Sequence, residues 1–590
     1  MYQFDPFDPF FRSPGGAIKT PGVLTLRLKL RRGEAAHVSA HIRLDGYGAK
    51  VTPMQVIGTV GSYDVYACEI PFDTPGLYWY HFQIGHDRTV PERTGDAFQI
   101  TVYAPAEQGP DWLQGGVIYH IFVDRFHRGG APNVRPGGIF RPDWGGTPYY
   151  KPDEDGIMHN NDFFGGDFCG IIEKLPYLET LGVTCLYLSP VFKAASNHKY
   201  DTGDFLQIDP AFGGEAGFEA LIQAAKKRGM RIILDGVFNH VGADSRYFNR
   251  YGHYDSVGAY QSKDSPYYDW FHFQNWPDTY DAWWGIELLP ALNEASESYI
   301  DFICAPDEGV IAYWTKKGVA GWRLDVVDEL PDVFLDPLCE AARRDNPEAL
   351  IVGEVWEDAS NKIAYSTRRR YFQGGQLDSV TNYPLKNAII SYIKDGNAPG
   401  LAETMAALWQ NYPPPVLHGL MNILGTHDTM RILTVLGSEH LPSTREEMEH
   451  YELTDQQLQI AKHRLKLAAL LQFTLPGVPC IYYADEAGMQ GGADPFCRRC
   501  YPWGQEDQDL LRWYTNLAKL RRADPALKDG AYTLLKAHDG EFVFTRGEGA
   551  NRLRIELSIK SGQAAIYKSV SNGDTKILHS ALITPRRNKT

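Results

Sequence analysis

Eight short apolar runs follow one another from residue 116 onward, and longer segments with helical periodicity separate them. The runs read GVIYHIFV, VTCLYLS, RIILDGV, AGWRLDV, LIVGEV, LDSVTN, LMNILGT and PCIYYAD. A strand that is covered on both faces is continuously apolar, whereas segments such as 217–229 and 456–473 carry the spacing of amphipathic helices. Eight strands with intervening helices predict an α/β fold of the (β/α)8 TIM barrel type.

Other patterns flank and interrupt this core. Residues 22–104 alternate in short strand-like pieces, which predicts an N-terminal β-sandwich over residues 1–110. The catalytic barrel is predicted over residues 111–240 and 293–505. The long aromatic loop at 241–292 is predicted to form an excursion domain over the barrel mouth, because long loops in compact domains are usually functional. One helix and several β-like runs predict a C-terminal β-domain over residues 506–590.

Length, charge and cysteines narrow the class of protein. A chain of 590 residues is too long for one core, and its formal net charge of −15 argues against nucleic acid and anionic membranes as partners. The first residues lack the basic and apolar regions of a secretory signal, and no stretch approaches 18 apolar residues. Five of the eight cysteines lie in apolar surroundings. We therefore expect no membrane span and a cytoplasmic location with reduced thiols. The Cys497-Arg-Arg-Cys500 pattern is weak evidence for metal or redox chemistry.

Three acidic residues come just where three apolar runs should end: Asp325, Glu354 and Asp428. In a parallel barrel the carboxyl ends of the strands form the active-site rim. Carboxylates that converge there suit the cleavage of glycosidic bonds. Aromatic residues make up 13% of the chain, and we interpret most of them as core residues and those near the acids as sugar-stacking surfaces.

Several ordered motifs carry a family resemblance that covers almost the whole chain. The motifs are Asp235-Gly-Val-Phe-Asn-His240, Gly321-Trp-Arg-Leu-Asp325, Gly353-Glu354-Val-Trp356, Thr426-His427-Asp428, Lys199-Tyr-Asp-Thr202 and Gly477-Val-Pro-Cys-Ile-Tyr-Tyr. The chain resembles the α-amylase family, glycoside hydrolase family 13, and most closely its neopullulanase, cyclomaltodextrinase and maltogenic amylase branch. The front domain is similar to a family 34 starch-binding module.

The resemblance implies a role for each matching residue. Asp325 resembles the catalytic nucleophile, Glu354 the general acid/base and Asp428 the third acid, which binds sugar hydroxyls. The residues that the resemblance places around the bound sugar are Arg323, His240, His427, Phe164, Trp356, Tyr200, Asp201 and Asn239. Among these, Phe164 aligns with a stacking tyrosine of the family, and Trp356 is either an acceptor-side platform or a packing residue.

The residue types agree with a retaining mechanism, which needs one ionised and one protonated carboxyl group. Arg323 lies two residues before Asp325 on the same strand face, so its charge should keep Asp325 ionised. Glu354 shares the pocket with two aspartates, so its pKa should be raised.

The chain departs from the branch at a loop that often binds calcium. Here the segment after the first strand reads Asp124-Arg-Phe-His-Arg-Gly-Gly-Ala-Pro-Asn-Val, and basic and apolar residues are poor calcium ligands. We therefore predict neither a metal ligand set nor a required cofactor. The stretches at Asp328-Glu329, Leu289–Leu292 and Met430 also differ, which leaves the choice between α-1,4 and α-1,6 bonds open.

These observations predict a retaining hydrolase of short maltooligosaccharides, cyclodextrins, pullulan or branched dextrins. A transglycosylase or glycosyl isomerase would use the same triad and differ in how water is excluded. A non-catalytic glucan-binding protein is the third reading, and product analysis separates the three. By analogy, the resemblance also offers a homodimer formed through the N-terminal domain.

Overall fold

The computed structural model describes residues 2–92, 96–105, 109–154, 156–570 and 573–581. The chain forms two compact units. Unit 1 contains Met1–Gly109, Glu357–Asp378 and Ala402–Leu417, and unit 2 contains Pro110–Trp356, Ser379–Leu401 and His418–Thr590.

Unit 1 is built around a β-sandwich. Its strands are β1 (Tyr2–Gln3), β2 (Arg12–Ser13), β3 (Ile18–Lys19), β4 (Gly22–Arg31), β5 (Val38–Leu44), β6 (Ala49–Pro53), β7 (Gln55–Val60), β8 (Tyr63–Phe72), β9 (Gly76–Ile84), β10 (Arg88–Val90) and β11 (Phe98–Tyr103). One sheet has the order β1-β4-β8-β7, with β2 on β4, and the other has the order β3-β11-β9-β5-β6, with β10 on β9. Every second residue of β4 from Leu24 to Leu30 is buried, which is the period-two pattern of a strand with one face in a core.

Two later stretches of the chain belong to unit 1. In the stretch 357–378, Arg368 Nε donates to Asp45 Oδ2 at 2.9 Å, and the carbonyl of Gln373 accepts from the Ala104 N–H at 2.9 Å. The domain boundaries predicted above place these residues in the barrel. Those boundaries stay predictions, and the structure groups these two stretches with the sandwich.

Unit 2 contains the barrel. Its strands up to residue 482 are β12 (Ile118–Ile121), β13 (Ile139–Phe140), β14 (Asp162–Phe163), β15 (Cys185–Leu188), β16 (Phe192–Ala194), β17 (Thr202–Ile208), β18 (Arg231–Gly236), β19 (Phe273–Asn275), β20 (Thr279–Tyr280), β21 (Gly321–Leu324), β22 (Leu350–Gly353), β25 (Ser379–Val380), β26 (Met421–Ile423) and β27 (Val478–Tyr482), whereas β23 (Ile363–Ala364) and β24 (Thr367–Arg368) belong to unit 1. Eight of them form one parallel sheet with the order β25-β22-β21-β18-β15-β12-β27-β26. A parallel bridge between Thr381 and Met421 joins its two edges. The eight apolar runs are therefore the eight barrel strands, and the predicted fold class is confirmed.

Helices follow the strands around the barrel. They are α1 (Val123–Phe126), α2 (Phe168–Leu181), α3 (Gly214–Lys227), α4 (Glu297–Cys304), α5 (Val310–Lys316), α6 (Asp332–Asp345), α7 (Tyr383–Asp395), α8 (Ala398–Asn411), α9 (Pro414–Gly419), α10 (Ile432–Gly437), α11 (Arg445–His450), α12 (Asp455–Thr474) and α13 (Gln508–Ala523). Thr454 and Gln457 form a capping box at the start of α12. Within the described ranges, no helix combines the length and the apolar composition that crossing a bilayer requires.

A five-stranded antiparallel sheet forms the C-terminal region. Its strands, in order, are β28 (Tyr532–His538), β29 (Glu541–Arg546), β30 (Leu553–Ser558), β31 (Gln563–Val570) and β32 (Gly573–Ala581). Two buried arginines donate hydrogen bonds to backbone carbonyl groups at the end of α12. Arg521 Nη1 donates to Phe473 O at 3.0 Å, and Arg546 Nη1 donates to Thr474 O at 2.7 Å. These carbonyls have no partner within the helix, so the guanidinium groups satisfy them.

The excursion at 241–292 has little regular structure. It contains the short ribbon of β19 and β20, and the rings of Tyr247, Phe248 and Trp270 are buried in it. The rings of Tyr247 and Trp270 lie 5.2 Å apart, and the ring of Phe248 lies 4.9 Å from that of Phe271, so these buried rings pack in pairs. Trp284 is different, because 79% of it is exposed.

A buried carboxyl group next to the barrel strands predicts a pH dependence of stability. Glu486 is fully buried, and its Oε1 accepts from Tyr119 Oη and Tyr177 Oη, both at 2.7 Å, and from Tyr501 Oη at 3.2 Å. No positive partner is among these contacts, and burial raises the pKa of Glu486 to about 7. Between about pH 4.3, the pKa in an unfolded chain, and pH 7, the folded protein binds the extra proton, so stability falls as pH rises.

Glu486→Gln is expected to remove this loss. The gain in unfolding free energy over the natural protein should reach about 3 kcal/mol at pH 8 and vanish near pH 4. Thermal unfolding followed across this pH range measures it. The exposed Glu179→Gln on α2 serves as the control, with no pH-dependent gain. A Glu486→Gln curve that runs parallel to that of the natural protein would contradict the assignment.

Candidate active site

One guanidinium group connects the carboxylates at the ends of neighbouring barrel strands. Arg323 Nη1 lies 2.8 Å from Asp325 Oδ1 and 2.7 Å from Asp235 Oδ1, and Arg323 Nη2 lies 2.8 Å from Glu354 Oε2. Asp235 is on β18, Arg323 is on β21, and Asp325 and Glu354 directly follow β21 and β22. All four side chains are buried. The parallel register of the strands brings them to one place, as the sequence predicts for residues at the carboxyl ends of a barrel.

This cluster holds three carboxyl groups but only one guanidinium group, which affects the pKa values of Asp325 and Glu354. Burial raises the pKa of Asp325 well above its ordinary value, and Arg323 opposes this. Burial also raises the pKa of Glu354. Because three buried carboxyl groups share one cation, the site holds protons that isolated carboxylates would lose, and the groups titrate together.

Arg323 contacts Asp325 as expected, but burial outweighs its charge in the pKa of Asp325, and Arg323 binds more than this one carboxylate. The same guanidinium also binds Glu354, whose Oε2 additionally accepts from the Val326 N–H at 3.1 Å, while Oε1 accepts from Trp356 Nε1 at 3.3 Å. Hydrogen bonds to a carboxylate favour its charged form. These donors lower the pKa of Glu354, and burial raises it. The raised pKa predicted for Glu354 therefore depends on burial and not on the neighbouring aspartates alone.

Two tyrosines orient the carboxylate of Asp235. Tyr187 Oη donates to Asp235 Oδ2 at 2.6 Å, and Tyr200 Oη donates to the same oxygen at 2.8 Å. The Tyr200 ring also stacks on His427, with ring centroids 5.0 Å apart and planes 13° apart. Asp235, which both tyrosines hold, thus fixes the position of Arg323. The ring of Tyr200 lies beside the carboxylates.

Asp428 is the most open of the three predicted acids, with 33% of its side chain exposed. Its Oδ2 lies 3.2 Å from His427 Nε2, and its Oδ1 lies 3.3 Å from Arg498 Nη2. Burial lowers the pKa of His427 well below its ordinary value, so the ring is neutral at pH 7. Neighbouring polar groups therefore hold Asp428 while its outer side remains accessible to a ligand.

The Cys-Arg-Arg-Cys pattern contributes an arginine to this rim. Arg498 Nε and Cys497 Sγ both donate to the carbonyl of His427, at 2.9 and 3.0 Å. Cys497 and Cys500 are buried free thiols, and burial raises the pKa of each to about 12. The thiols are thus neutral, and the pattern positions Asp428 and His427.

Asn239 and His240 follow shortly after the end of β18, the strand that carries Asp235. His240 is buried, neither ring nitrogen has a hydrogen-bond partner within the described residues, and burial lowers its pKa to about 4. A buried imidazole without partners is costly, so these nitrogens suit hydroxyl groups of a ligand. Asn239 Nδ2 donates to Glu329 Oε2 at 3.0 Å.

Two of the predicted sugar-contacting residues lie elsewhere. Phe164 is fully buried, and its ring lies between the guanidinium groups of Arg125 and Arg141, whose carbons are 4.7 and 5.0 Å from its centroid. Both of its faces are covered, so it offers no stacking surface. Tyr200 is the ring that the structure brings to the carboxylates.

Asp201 is also turned away from the cluster. Its carboxylate accepts from the backbone N–H groups of Ala195 and Ser196 at 3.1 and 3.0 Å. It therefore shapes the 195–201 loop that carries Tyr200 and does not face the site itself. A motif match gives the identity of such a residue but not the direction of its side chain.

Trp356 combines the two readings that the sequence left open. One face of its ring stacks on Tyr383, with centroids 4.2 Å apart and planes 12° apart. The residue is nevertheless 47% exposed, and its Nε1 donates to Glu354. Trp356 is therefore both a packing residue and an open surface beside the acid.

The segment after β12, which the family resemblance matches to a calcium loop, has carboxylates that are already engaged by other groups. Asp124 accepts from Arg125 Nε at 2.7 Å and from the N–H groups of Phe164 and Gly165 at 3.0 and 2.9 Å. Asp162 lies 3.7 Å from the Arg125 guanidinium. Calcium needs six or more oxygen ligands, whereas a buried arginine and backbone N–H groups already use these carboxylates. In the part of the chain that the structure describes, no group of three or more His, Cys, Asp or Glu side chains could hold a metal ion.

Several residues of the site were not identified from the sequence. Tyr187, Tyr383 and Arg498 contact the acids or their partners, and Trp283 stacks on His240 with ring centroids 5.0 Å apart. Only the dense aromatic loop gave a signal for Trp283. Tyr187 lies in β15 and Tyr383 begins α7, where the sequence carries no motif, and Arg498 lies in the Cys-Arg-Arg-Cys pattern, which was considered only for metal or redox chemistry.

Known proteins of one family are similar to this chain. The family model of the alpha-amylase catalytic domain matches residues 120–530. An amylopullulanase of Thermoanaerobacter thermohydrosulfuricus is 36% identical over 613 residues, which cover 92% of this chain and 40% of that protein. A cyclomaltodextrinase of Geobacillus thermopakistaniensis is 32% identical, with coverages of 92% and 88%. The chain spans less than half the length of the amylopullulanases that it matches.

A solved structure is similar to nearly the whole length of this chain. The type III pullulan hydrolase from Thermococcus kodakarensis superposes with a TM-score of 0.66 at 27% identity, covering 98% of both chains. The likeness thus extends beyond the barrel to the flanking domains.

Proposed function

Because the chain belongs to the α-amylase family, we propose that it is a retaining hydrolase of α-glucans. The observation that carries the proposal is the single guanidinium of Arg323, which holds Asp325 and Glu354 together at the rim of the barrel. A retaining glycosidase needs two carboxyl groups this near to each other, one on each side of the scissile bond.

The roles are those that the family resemblance implies for these residues. The Asp325 carboxylate attacks the anomeric carbon and forms a covalent glycosyl ester while the proton of Glu354 passes to the leaving oxygen. Glu354 then takes a proton from water, which attacks the same carbon and releases Asp325. Two displacements at one carbon leave the α configuration unchanged. The unpartnered nitrogens of His240 and the open side of Asp428 would bind hydroxyl groups of the same sugar.

The substrate class is that of soluble α-glucan oligosaccharides: maltooligosaccharides, cyclodextrins, pullulan or branched dextrins. Relatives named amylopullulanase and cyclomaltodextrinase, and a structural neighbour named pullulan hydrolase, support this class. Cleavage of α-1,4 bonds is part of the proposal, and the product profile below decides whether α-1,6 bonds are cleaved as well. The cytoplasmic location and the homodimer through the N-terminal domain stay predictions.

One observation favours transglycosylation as a second activity. Trp356 donates to Glu354 and is 47% exposed, so an acceptor sugar stacked on its open face would lie beside the acid/base and compete with water. The ratio of transfer to hydrolysis would then rise with the concentration of the acceptor.

A product profile tests the proposed function. The protein is incubated separately with γ-cyclodextrin, pullulan, maltotriose and soluble starch, with the Asp325→Asn variant alongside. Opening of the cyclodextrin and release of panose from pullulan, both lost in the variant, are the expected results. Maltotriose from pullulan would instead indicate cleavage of α-1,6 bonds. No product from any of the four would overturn the hydrolase proposal, and an initial β-anomer in an NMR time course would overturn the retaining mechanism.

A further inference from the structure

Trp284 is an exposed ring on a backbone that a side chain of this size rarely adopts. The residue is 79% exposed, and its φ and ψ of 51° and 26° lie in the left-handed region. Non-glycine residues in this region are uncommon and cluster at functional sites, where the surrounding structure enforces them. A large apolar ring in water at a strained position requires an explanation other than packing.

The surrounding structure fixes this ring in place. Its Nε1 donates to Glu329 Oε1 at 3.2 Å, and its ring stacks on that of Trp283, with centroids 5.3 Å apart and planes 26° apart. The Trp283 N–H donates to Leu289 O at 2.8 Å, which closes the base of the turn. One edge and one face of Trp284 are thus engaged, and the rest of the ring is open.

The two residues that contact Trp284, which are Trp283 and Glu329, in turn contact residues of the candidate active site. Trp283 stacks in turn on His240, with centroids 5.0 Å apart, and Glu329 accepts from Asn239 through its other oxygen at 3.0 Å. The rings of His240, Trp283 and Trp284 therefore form a row that begins at the buried His240 and ends in solvent. A sugar held by His240 would be separated from Trp284 by two ring-to-ring steps, so a ligand must extend past the cleavage position to reach it.

We propose that Trp284 is a sugar-stacking platform that binds a glucose residue of the α-glucan remote from the bond to be cleaved and thereby sets the preference for longer chains. The proposal rests on the proposed function, because it assumes that the site binds an α-glucan.

The chemistry of the ligand matches this surface. The C–H face of a pyranose ring is apolar and packs on an indole face, while its hydroxyl groups remain in water or reach polar neighbours. Glu329 fixes the indole edge and leaves the face free. The strained backbone of Trp284 then serves to expose the ring, because an unstrained residue at this turn would not direct its ring away from the protein.

Binding to an inactive variant tests the platform without interference from turnover. In the Asp325→Asn background, calorimetry measures the Kd of maltohexaose and of maltose with and without Trp284→Asn. Asparagine tolerates the left-handed backbone, so the turn should keep its conformation while the ring is lost. Trp284→Tyr retains a ring without the indole N–H. The control is Tyr251→Ala, which removes another exposed ring of the same excursion segment, 49% exposed.

We expect Trp284→Asn to raise the Kd of maltohexaose about tenfold, which is the size of one well-packed aromatic contact, and the Kd of maltose less than about twofold. Trp284→Tyr should retain most of the affinity, and Tyr251→Ala should change neither Kd. Equal effects on both sugars, or no effect on maltohexaose, would overturn the platform and leave the hydrolase proposal intact. If the Asp325→Asn protein binds neither sugar, the proposed function fails and the platform with it.

Discussion

Replacing Asp325 by asparagine is expected to lower kcat on γ-cyclodextrin by about 10⁴-fold or more, whereas Glu354→Gln should lower it by about 10³-fold. Asparagine cannot form the glycosyl ester, so both displacements are lost. Glutamine removes only the proton transfer. The two variants therefore differ most with a substrate whose leaving group needs no proton.

α-Maltosyl fluoride provides that test. Fluoride leaves as an anion, so Glu354→Gln should form the ester at a rate within about tenfold of the natural protein and then release it slowly, because no base activates water. Intact-mass analysis should detect one added maltosyl group, and digestion should place it on Asp325. Asp358→Asn is the matched control, because its carboxylate caps Ser360 at 2.9 Å and does not contact the cluster. Equal processing of the fluoride by the Asp325 and Glu354 variants would contradict the assigned roles.

Replacing Arg323 by methionine should lower both activity and stability. The side chain is buried and holds Asp235, Asp325 and Glu354 at 2.7 to 2.8 Å. Loss of one partner of a buried ion pair costs about 3–5 kcal/mol, and a protonated nucleophile should lower kcat by about 10³-fold. Arg323→Lys keeps the charge but cannot bind three carboxylates as a fork, so we expect it to preserve stability better than activity.

The pH dependence distinguishes this effect from a simple loss of packing. Without the guanidinium, the pKa values of the buried carboxyl groups rise further above those of the unfolded chain, so the folded variant binds more protons and loses stability as pH rises. The difference in Tm between the natural protein and Arg323→Met should therefore be larger at pH 8 than at pH 5. Arg521→Met is the control, because Arg521 donates to the carbonyls of Gly116, Phe473 and Gly477, which do not titrate. A difference that does not change with pH would contradict the electrostatic role of Arg323.

The apolar runs predicted all eight barrel strands because a parallel strand is buried on both faces and its sequence shows it. The exposed strand β7 and the edge strand β28 show no apolar period, because their residues are exposed or only partly buried. The stretches 357–378 and 402–417 were assigned to the barrel because chain order suggested it. Their place in unit 1 depends on tertiary contacts such as that of Arg368 with Asp45.

The site was only partly readable from motifs. The spacing of Arg323 and Asp325 predicted their contact, because alternate residues of a strand share a face. The alignment of Phe164 with a stacking ring was wrong, because Arg125 and Arg141 cover both of its faces. Asp201 matched a motif but binds its own loop. Residue identity survives in a motif, whereas the direction of a side chain depends on neighbours that are distant in sequence.

The sequence by itself determined the barrel, the two flanking β-domains and the three acids at strand ends, because burial pattern and chain order are local properties. Only the tertiary structure decided that one guanidinium serves both Asp325 and Glu354, that Tyr200 lies beside them, and that the strained Trp284 extends the row of rings from His240. These features join residues from different strands and loops. Their geometry, and hence the balance of charge in the site, exists only once the barrel has closed.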